Sequence, residues 1–447
     1  MAKLIIEGGT PLKGVVRLGG AKNSSFKLMI ASLLCLQETR LLNFSHIADV
    51  DLVKGILQKL GAKVYSAGER TLFINAAQLH SSIIPQNLGL ASRASSLFIA
   101  PLLARTKKAI VPLPGGDKIG ARSLDRHFDG LKALGVKLEI KNNLIHAGCP
   151  QLTGASYTFS KPTHTGTETM IMAAVLAEGK TTLKNAALEP EVDDLINFLN
   201  QMGAKITRLA KRTIEIKGVK ELKPIIYKVM PDRNEAVSYA IAALITRGDI
   251  IVENAREKDL TAFLAKLQKT GAGIEKADYG LRFFYQKPLT AVDITTEPHP
   301  GFMSDWEPLW SVLATQCLGT SRIIETVFTS RFQFVKDLQS MGAKIQFFQP
   351  QVANPEEFYN FNLKDDQSAN FHGIKVSGIT PLIGKTITIT DIRAGATLAL
   401  AGLAAQGQTV LTGLEHIDRG YENFPQSRYA LNKEFRCSQD EGGHCRP

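Results

Sequence analysis

A short segment around residue 117 combines the residue types that an anion-handling catalytic loop requires. Its sequence is PGGDKIGAR, residues 114–122, in which an acid, Asp117, stands beside a base, Lys118. The two adjacent glycines allow the backbone to approach a ligand closely. Arg122 adds a planar guanidinium that forms paired hydrogen bonds with phosphate or carboxylate. We interpret the segment as a mobile catalytic loop, and a polar surface turn is the alternative that the segment alone leaves open.

A second candidate anion site lies where a glycine pair leads into a predicted helix. In LGGAKNSSFKLMIASLL, residues 18–34, apolar residues recur at helical spacing: Phe26, Met29, Ile30, Leu33 and Leu34. This period predicts a helix with one buried face. Lys22 and Asn23 fall in its first turn, where free backbone N–H groups and the helix dipole favour an anion.

The elements that position these residues belong to a unit that recurs along the chain. An amphipathic helix, a glycine and an alternating strand recur around Gly61, Gly135, Gly203, Gly271 and Gly342, and the glycine follows Leu or Met in every copy except Thr270-Gly271. The helix before Gly61 shows the expected apolar spacing at Val53, Ile56, Leu57 and Leu60. A glycine after such a helix is typical of a left-handed C-terminal cap. We therefore predict βα units of about 70 residues arranged as two globular halves.

The last unit departs from this pattern. ALNKEF, from Ala430, occupies the place of a sixth unit but carries Asn432 where the glycine is expected. A polar insertion at about 349–372 explains its greater distance from Gly342. The pattern is lost after Glu422, and the sequence leaves open whether the tail completes the sixth unit.

Composition and charge limit the classes of function. A hydrophobic fraction of 44% and a mean hydropathy of -0.03 fit a globular protein, and apolar runs of about nine residues are too short to span a bilayer. The start, MAKLIIEGGTPLKG, reads as strand and turn rather than as a signal peptide. We expect a cytoplasmic protein without a membrane partner. The net charge of +11 favours anionic partners, but the cations form no basic tail, so we expect no nucleic-acid partner.

The cysteines favour neither disulfides nor a metal site. Five cysteines are scattered along the chain without a CxxC pair, which suits a reducing compartment. Cys437, His444 and Cys445 match no zinc spacing. We predict no metal and no cofactor.

Taken together, the motifs resemble those of the enolpyruvyl transferases, and within them the branch whose acceptor is UDP-N-acetylglucosamine. The matching segments follow one order along nearly the whole chain to Glu422: GGTPLKG from Gly8, GGAKNS from Gly19, SRASSLF from Ser92, LPGGDKIGAR from Leu113, EPEVDDLINFLNQMGAKI from Glu189, MPDRNEA from Met230, HPGFMSDWEP from His299, ETVFTSRF from Glu325, DIRAGATLALAGL from Asp391 and HIDRGYE from His416. So many ordered matches make the resemblance specific.

The resemblance implies a fold and a reaction. The fold is a two-domain inside-out α/β (α+β) barrel of six βαβαββ repeats, with residues 1–21 and 232–447 as one domain and 22–231 as the other, which carries a lid loop at 113–123. The reaction moves the enolpyruvyl group of phosphoenolpyruvate to the 3-hydroxyl of UDP-N-acetylglucosamine and releases phosphate, the first committed step of peptidoglycan synthesis. Phosphoenolpyruvate is strongly anionic, so several cations are needed to hold it.

The resemblance also implies roles for individual residues. Lys22, Asp117, Asp305 and Arg419 match catalytic positions, with Asp305 as acceptor of the hydroxyl proton. Lys22, Asn23, Arg122, Arg393 and Arg419 match the phosphoenolpyruvate site. The nucleotide-sugar site matches Arg93, Arg122, Ser123, Leu124, Asp125, His164, Thr165, Asp305 and Val327.

Two departures from the family pattern stand out. Asp117 replaces the common cysteine, so a carboxyl with an ordinary pKa near 3.9 stands where a thiol near 8.5 is usual, and we expect insensitivity to fosfomycin, which alkylates that thiol. THTGTE, residues 163–168, replaces a segment close to SVGATE, which puts His164 at a small apolar position. His164 is either a ligand contact or a polar filler.

Other functions stay open on the sequence alone. The acceptor could be another phosphorylated or nucleotide-linked alcohol, such as shikimate 3-phosphate. The chain could also be a catalytically silent protein that binds anions or nucleic acid. We expect a monomer, although the sequence does not fix the oligomeric state.

Overall fold

The computed structural model describes residues 3–115 and 119–422, apart from the side chains of Ile392 and Arg393. The strands are β1 (Leu4–Glu7), β2 (Lys13–Arg17), β3 (Glu38–Leu42), β4 (Lys63–Ser66), β5 (Thr71–Asn75), β6 (Lys108–Pro112), β7 (Lys137–Lys141), β8 (Leu144–Gly148), β9 (Ser156–Thr158), β10 (Lys180–Lys184), β11 (Lys205–Ala210), β12 (Thr213–Lys217), β13 (Ile226–Lys228), β14 (Asp249–Glu253), β15 (Gly273–Ala277), β16 (Gly280–Phe284), β17 (Ile294–Thr295), β18 (Gly319–Ile324), β19 (Lys344–Phe348), β20 (Gly373–Gly378), β21 (Thr386–Thr388) and β22 (Gln408–Thr412).

The α-helices are α1 (Lys22–Ala31), α2 (Ala48–Leu60), α3 (Gln86–Ala91), α4 (Ile99–Thr106), α5 (Asp125–Ala133), α6 (His164–Ala174), α7 (Pro190–Gln201), α8 (Arg233–Ile245), α9 (Thr261–Lys269), α10 (Glu307–Thr315), α11 (Val335–Ser340), α12 (Pro355–Phe358), α13 (Ile392–Ala404) and α14 (Glu415–Asp418). Short 3₁₀ helices cover Ser32–Leu34, Arg93–Phe98, Glu257–Asp259, Ser304–Trp306, Phe332–Phe334 and Leu363–Asp365.

The described chain forms two compact units. The first unit comprises residues 3–18, 119–122 and 231–422, and the second comprises 19–115 and 123–230. Residues 119–122 pack with the first unit, whereas the limits predicted above give the whole 113–123 loop to the second domain. The reason is local: the Ser330 N–H donates to the Ile119 carbonyl at 3.2 Å.

Each unit contains three sheets among its described residues. The second unit holds β13-β3-β5-β4, β6-β8-β7 and β11-β12-β10-β9; the first holds β15-β16-β14-β2, β17-β18-β20-β19 and β1-β22-β21. The four-stranded sheets share one pattern, in which a strand such as β9 pairs in parallel with β10 and the remaining pairs are antiparallel. This common pattern is the structural form of the repeat.

In each unit, helices occupy the interior and the sheets surround them. Nine of the ten residues of α1 and all nine of α10 are buried, including the polar residues Lys22 and Lys27 of α1 and Glu307 of α10. The strands alternate between buried and less buried residues, as in β12 and β22, because one sheet face packs on the helices. The apolar stripe before Gly61 is fully buried as predicted.

The repeated glycines end the amphipathic helices in the predicted way. Gly61, Gly135, Gly203, Gly271 and Gly342 have φ between 86° and 109°, where a side chain costs energy. The helix from Lys22 is shorter than its apolar stripe, because after Ala31 the chain tightens into the 3₁₀ helix Ser32–Leu34. The insertion replaces the short turn between β19 and β20 and contains α12. Asn432 and the tail lie outside the described residues.

Three buried cysteines, Cys35, Cys149 and Cys317, are free thiols, while Cys437, His444 and Cys445 lie outside the described part of the chain. Among the residues that the structure describes, no group of three or more His, Cys, Asp or Glu side chains could hold a metal ion. No described helix has the length and apolar character needed to cross a membrane.

Candidate active site

The predicted site residues fall on both units. The second unit carries Lys22, Asn23, Arg93, Ser123, Leu124, Asp125, His164 and Thr165. The first carries Arg122, Asp305, Val327, Arg393 and Arg419. Asp117 and Lys118 lie outside the described residues.

Lys22 is the first residue of α1 and is paired rather than solvated. Its ammonium lies 2.8 Å from Oδ2 of Asp49, and the two side chains are 11% and 7% exposed. A cation at a helix N-terminus faces the positive end of the dipole, so the Asp49 carboxylate stabilises it there. Sequence analysis did not single out Asp49, because an acid in the first turn of α2 already has a local explanation in the helix dipole.

Three residues predicted for the nucleotide-sugar site meet ahead of α5. Arg93 donates from Nη2 to the carbonyl of Ser123 at 3.2 Å, and the Asp125 N–H donates to the Ser123 hydroxyl at 3.1 Å. Ser92 caps the 3₁₀ helix that begins at Arg93 by accepting from the Ala94 N–H. Leu124, by contrast, is only 6% exposed and packs in the hydrophobic core of this unit.

His127 connects this segment to the start of α6, and sequence analysis missed its role. The residue is 3% exposed, and its two ring nitrogens, Nε2 and Nδ1, lie 3.0 Å from the hydroxyls of Thr165 and Thr169, respectively. Burial, together with the cations Arg93 and Arg126, lowers the pKa of His127 to about 3. The imidazole is therefore neutral and links α5 to the hydroxyls of Thr165 and Thr169 on α6. The spacing of Thr165 and Thr169, one helical turn apart, was the signal available in the sequence.

His164, the first residue of α6, belongs to a buried cluster of charged groups. Nε2 of His164 lies 2.8 Å from the ammonium of Lys27 and 3.2 Å from Oε1 of Glu168. Lys27 and Glu168 are themselves 2.8 Å apart. Burial and the charge of Lys27 lower the pKa of His164. The charge and hydrogen bond of Glu168, together with the charge of Glu189, raise it, and the net result is a pKa above the usual value.

In the first unit, Asp305 is held by a cation that sequence analysis also missed. Asp305 lies in the 3₁₀ helix Ser304–Trp306, and its Oδ1 accepts a hydrogen bond from Nη2 of Arg331 at 3.0 Å. The Arg331 side chain is 3% exposed and that of Asp305 21%. A buried guanidinium thus orients a partly exposed carboxylate.

Asp305 and Val327 are linked through one buried carboxylate, Glu325. Its Oε2 accepts from the Ser304 hydroxyl at 2.8 Å, and its Oε1 accepts from the N–H groups of Val327 and Phe328 at 2.6 and 2.9 Å. Burial raises the pKa of Glu325, while these bonds and Arg331 favour its charged form. The turn that carries Val327 is therefore built on the same group that supports the Asp305 helix.

The described C-terminal end of the predicted lid, residues 119–122, packs against Thr329 and Ser330. A side-chain carbon added at Gly120, which has φ +98°, would lie 2.0 Å from the hydroxyl oxygen of Thr329. Only glycine fits this close approach. Arg122, two residues on, is half-buried.

The other two predicted arginines lie near the end of the described chain. Arg393 is the second residue of α13, and Arg419 follows α14 and is half-buried. Burial and the neighbouring Glu415 raise the pKa of Asp418, which precedes Arg419.

Comparisons with known proteins agree with this architecture. Residues 6–427 match the family model described as EPSP synthase (3-phosphoshikimate 1-carboxyvinyltransferase). The chain is 39% identical to the UDP-N-acetylglucosamine 1-carboxyvinyltransferase of Desulfatibacillum aliphaticivorans, over 98% of this chain and 99% of that protein. It is 40% identical to the protein of the same name from Gluconobacter oxydans, over 98% of this chain and 100% of the relative.

Solved structures show the same fold at lower sequence identity. The enolpyruvyl transferase NikO from Streptomyces tendae matches with a TM-score of 0.84 at 22% identity, over 98% of this chain and 99% of that chain. EPSP synthase from Acinetobacter baumannii matches with a TM-score of 0.72 at 17% identity, over 98% and 100% of the two chains. The predicted fold class is confirmed.

Proposed function

Because this chain belongs to the enolpyruvyl (1-carboxyvinyl) transferase family, we propose that it transfers the enolpyruvyl group of phosphoenolpyruvate to the 3-hydroxyl of UDP-N-acetylglucosamine. The observation that carries the proposal is the 39–40% identity, over 98% of the chain, to relatives named for this reaction. The proposal places the enzyme, as a monomer, in the cytoplasm at the first committed step of peptidoglycan synthesis, and so in cell-wall growth, cell shape and division.

The reaction proceeds by addition and elimination. The sugar hydroxyl loses its proton as its oxygen bonds to carbon 2 of phosphoenolpyruvate, and carbon 3 gains a proton to become a methyl group. The tetrahedral product then loses a proton from that methyl group, expels phosphate and regains the double bond. Each addition thus needs a proton acceptor beside the hydroxyl and a proton donor beside the methylene carbon.

We assign the proton acceptor to Asp305 and the donor to Asp117. Arg331 orients the Asp305 carboxylate through a hydrogen bond of 3.0 Å to Oδ1, and the carboxylate is 21% exposed, which supports its role as acceptor of the hydroxyl proton. Asp117 acts as donor only if its pKa is raised, which desolvation and the adjacent anionic substrate favour. An aspartate at this position also lacks the thiol that fosfomycin alkylates, so the proposal includes insensitivity to that compound.

Phosphoenolpyruvate binds to a set of cations in this proposal: Lys22, Arg122, Arg393 and Arg419, with Asn23 beside them. The buried Lys22–Asp49 pair supports the assignment, because an ammonium held by a carboxylate at a helix start keeps a fixed position. Hydrogen bonds from such cations are stronger than neutral ones. The nucleotide sugar binds to Arg93, Ser123, Leu124, Asp125, His164 and Thr165 of the second unit and to Arg122, Asp305 and Val327 of the first.

A second acceptor, shikimate 3-phosphate, is the competing candidate, because the matching family model carries the name of the enzyme that uses it. The test is phosphate release from phosphoenolpyruvate in three parallel reactions, with UDP-N-acetylglucosamine, with shikimate 3-phosphate and without acceptor. Release only with the nucleotide sugar supports the proposal, and release only with shikimate 3-phosphate overturns it. Lys22→Ala is the matched inactive control, with an expected loss of about 10² to 10³ in rate.

A further inference from the structure

Lys27 and Glu168 form a buried ion pair, and both members of the pair contact Nε2 of His164. Lys27 is 2% exposed and Glu168 is fully buried, whereas the side chain of His164 is 21% exposed. Burying two charges costs several kcal/mol per ion unless their geometry compensates. The pair therefore needs an explanation, and its contact with His164 supplies one.

The donors and acceptors in the cluster determine where His164 carries its proton. An ammonium only donates hydrogen bonds, so when His164 is neutral its Nε2 accepts from Lys27 at 2.8 Å and the proton resides on Nδ1. When His164 is protonated, Nε2–H donates to Oε1 of Glu168, 3.2 Å away. Lys27 can then bond to Oε2 of Glu168, which has no partner among the described residues. In both states Nδ1 carries a proton.

The other donors beside His164 point to an anionic ligand. Within the described residues, Nδ1 of His164 and the backbone N–H groups of His164 and Thr165 donate no hydrogen bond, whereas the next N–H, of Gly166, donates to the Thr163 hydroxyl. The Thr165 hydroxyl is hydrogen-bonded to Nε2 of His127, which fixes the position of this residue. Three unused donors at one helix start, one of them on a side chain with a fixed tautomer, suit a phosphate oxygen.

We propose that His164 is a specificity-determining residue that donates its Nδ1–H to a phosphate oxygen of the nucleotide-sugar acceptor, with Lys27 and Glu168 as the positioning pair. This inference rests on the proposed function for the identity of the ligand. It explains the departure at THTGTE as a gain of a side-chain donor, supported by the buried pair at Lys27 and Glu168.

The charged groups that act on His164 come from three elements: Lys27 on α1, Glu168 on α6 and Glu189 ahead of α7. As the pH falls through the pKa of His164, the cluster gains one positive charge while Nδ1 remains a donor. Binding of a diphosphate is therefore expected to strengthen toward lower pH without losing its hydrogen bond at higher pH.

The test uses side chains that imitate one ring nitrogen at a time. The amide nitrogen of Asn corresponds to Nδ1 and that of Gln to Nε2. In His164→Ala and His164→Gln, the KM for UDP-N-acetylglucosamine should rise about 10- to 100-fold, the effect of one hydrogen bond to a charged group, with the KM for phosphoenolpyruvate within about 2-fold. His164→Asn should restore most of the acceptor affinity. Equal behaviour of the Asn and Gln variants, or an unchanged acceptor KM in His164→Ala, would overturn the inference.

A second readout does not depend on turnover. The ¹⁵N resonances of His164 should show the Nδ1–H tautomer in the free wild-type protein above the pKa of this residue, and Nδ1 should shift on addition of UDP. In the doubly neutral variant Lys27→Met with Glu168→Gln, which leaves no unpaired buried charge, the tautomer preference should be lost. An Nε2–H tautomer in the wild type would contradict the inference. Absence of phosphate release by the wild-type enzyme would instead contradict the proposed function.

Discussion

Arg331 donates a hydrogen bond from Nη2 to Oδ1 of Asp305 across 3.0 Å, and its Nε, which is also buried, has no partner among the described residues. A buried guanidinium thus donates a hydrogen bond to a carboxylate that is partly exposed to solvent. Burial of an arginine requires such a partner, and the carboxylate gains a fixed orientation from it. The pair lies 26 residues apart in sequence, on two segments that Glu325 joins.

Removing Arg331 should impair turnover more than substrate binding. Asp305 would lose its orienting partner but keep its carboxylate, so we expect Arg331→Met to lower kcat about 10- to 100-fold, less than the roughly 10²- to 10⁴-fold contribution of a general acid or base itself, and Arg331→Lys to recover part of it. Steady-state kinetics with both substrates measure the effect. Arg322→Met is the matched control, because Arg322 is exposed and stacks on Phe348. An unchanged kcat in Arg331→Met would show that Arg331 does not orient Asp305 for the reaction.

Asp117→Cys should restore the chemistry of a loop thiol. A thiol has an ordinary pKa near 8.5 and a carboxyl one near 3.9, so the limb of the pH–rate profile that the proton donor controls should move toward higher pH. Fosfomycin should label the variant at a stoichiometry of one and leave the wild type unmodified, as measured by intact mass. Asp117→Asn is the control that removes the proton donor without adding a nucleophile. Labelling of the wild type, or an unchanged profile in Asp117→Cys, would contradict the assigned role.

The elements that repeat could be predicted because their signals are local. The stripe Val53, Ile56, Leu57 and Leu60 determines one buried helix face, and Gly61 directly follows that helix. Fold class followed from recurrence of this pattern and from the ordered motifs. Neither depends on knowing which distant residues meet.

The partners of the site residues could not be predicted, because they come from distant parts of the chain. Lys27 lies outside the apolar stripe of its helix, a position that suggests solvent, yet it is buried against Glu168, 141 residues away. Asp49 and Arg331 likewise have ordinary local explanations, and only the tertiary structure brings them to Lys22 and Asp305. The residue types of the site could be identified from the sequence, but the residues that pair with them could not.

The neutral state of His127 should make the second unit sensitive to acid. Its pKa is lowered to about 3 in the folded protein, against 6.5 for an ordinary histidine, so its contribution to stability is complete above pH 6.5 and is lost as the pH falls below that value. The loss is about 1.4 kcal/mol per pH unit, or about 2 kcal/mol at pH 5. Hydrogen exchange of peptides from α5 and α6, compared between pH 7.5 and 5, measures it.

The control for His127 is a side chain that cannot titrate. His127→Gln keeps a polar group near the Nε2 position, so it should be less stable at pH 7.5 but should lose less protection than the wild type between pH 7.5 and 5. The half-buried His146 on β8 serves as a second control through His146→Gln. Parallel pH dependence of the wild type and His127→Gln would show that His127 does not titrate in this way.

Glu307 should make the stability of the first unit fall as the pH rises, which is opposite to the effect of His127 in the second unit. It is fully buried, its Oε1 accepts from the Ser311 hydroxyl at 3.2 Å, and its Oε2 has no partner among the described residues. Burial, followed by the charge of Glu325, raises its pKa well above the usual value. The folded protein therefore retains a proton that the unfolded chain releases above about pH 4.3.

Glu307→Gln should accordingly stabilise the protein at alkaline pH. The wild type loses stability as the pH rises above the unfolded pKa, by about 1.4 kcal/mol per pH unit until the folded pKa is reached, whereas an amide of the same shape has no proton to lose. Urea unfolding followed by tryptophan fluorescence suits the test, because Trp306 and Trp310 are the two tryptophans of the chain and both are buried beside Glu307. The advantage of the variant at pH 8 should shrink toward pH 4.5, and the exposed Glu297→Gln should show none. A variant less stable than the wild type at pH 8 would mean that Glu307 is ionised in the folded protein.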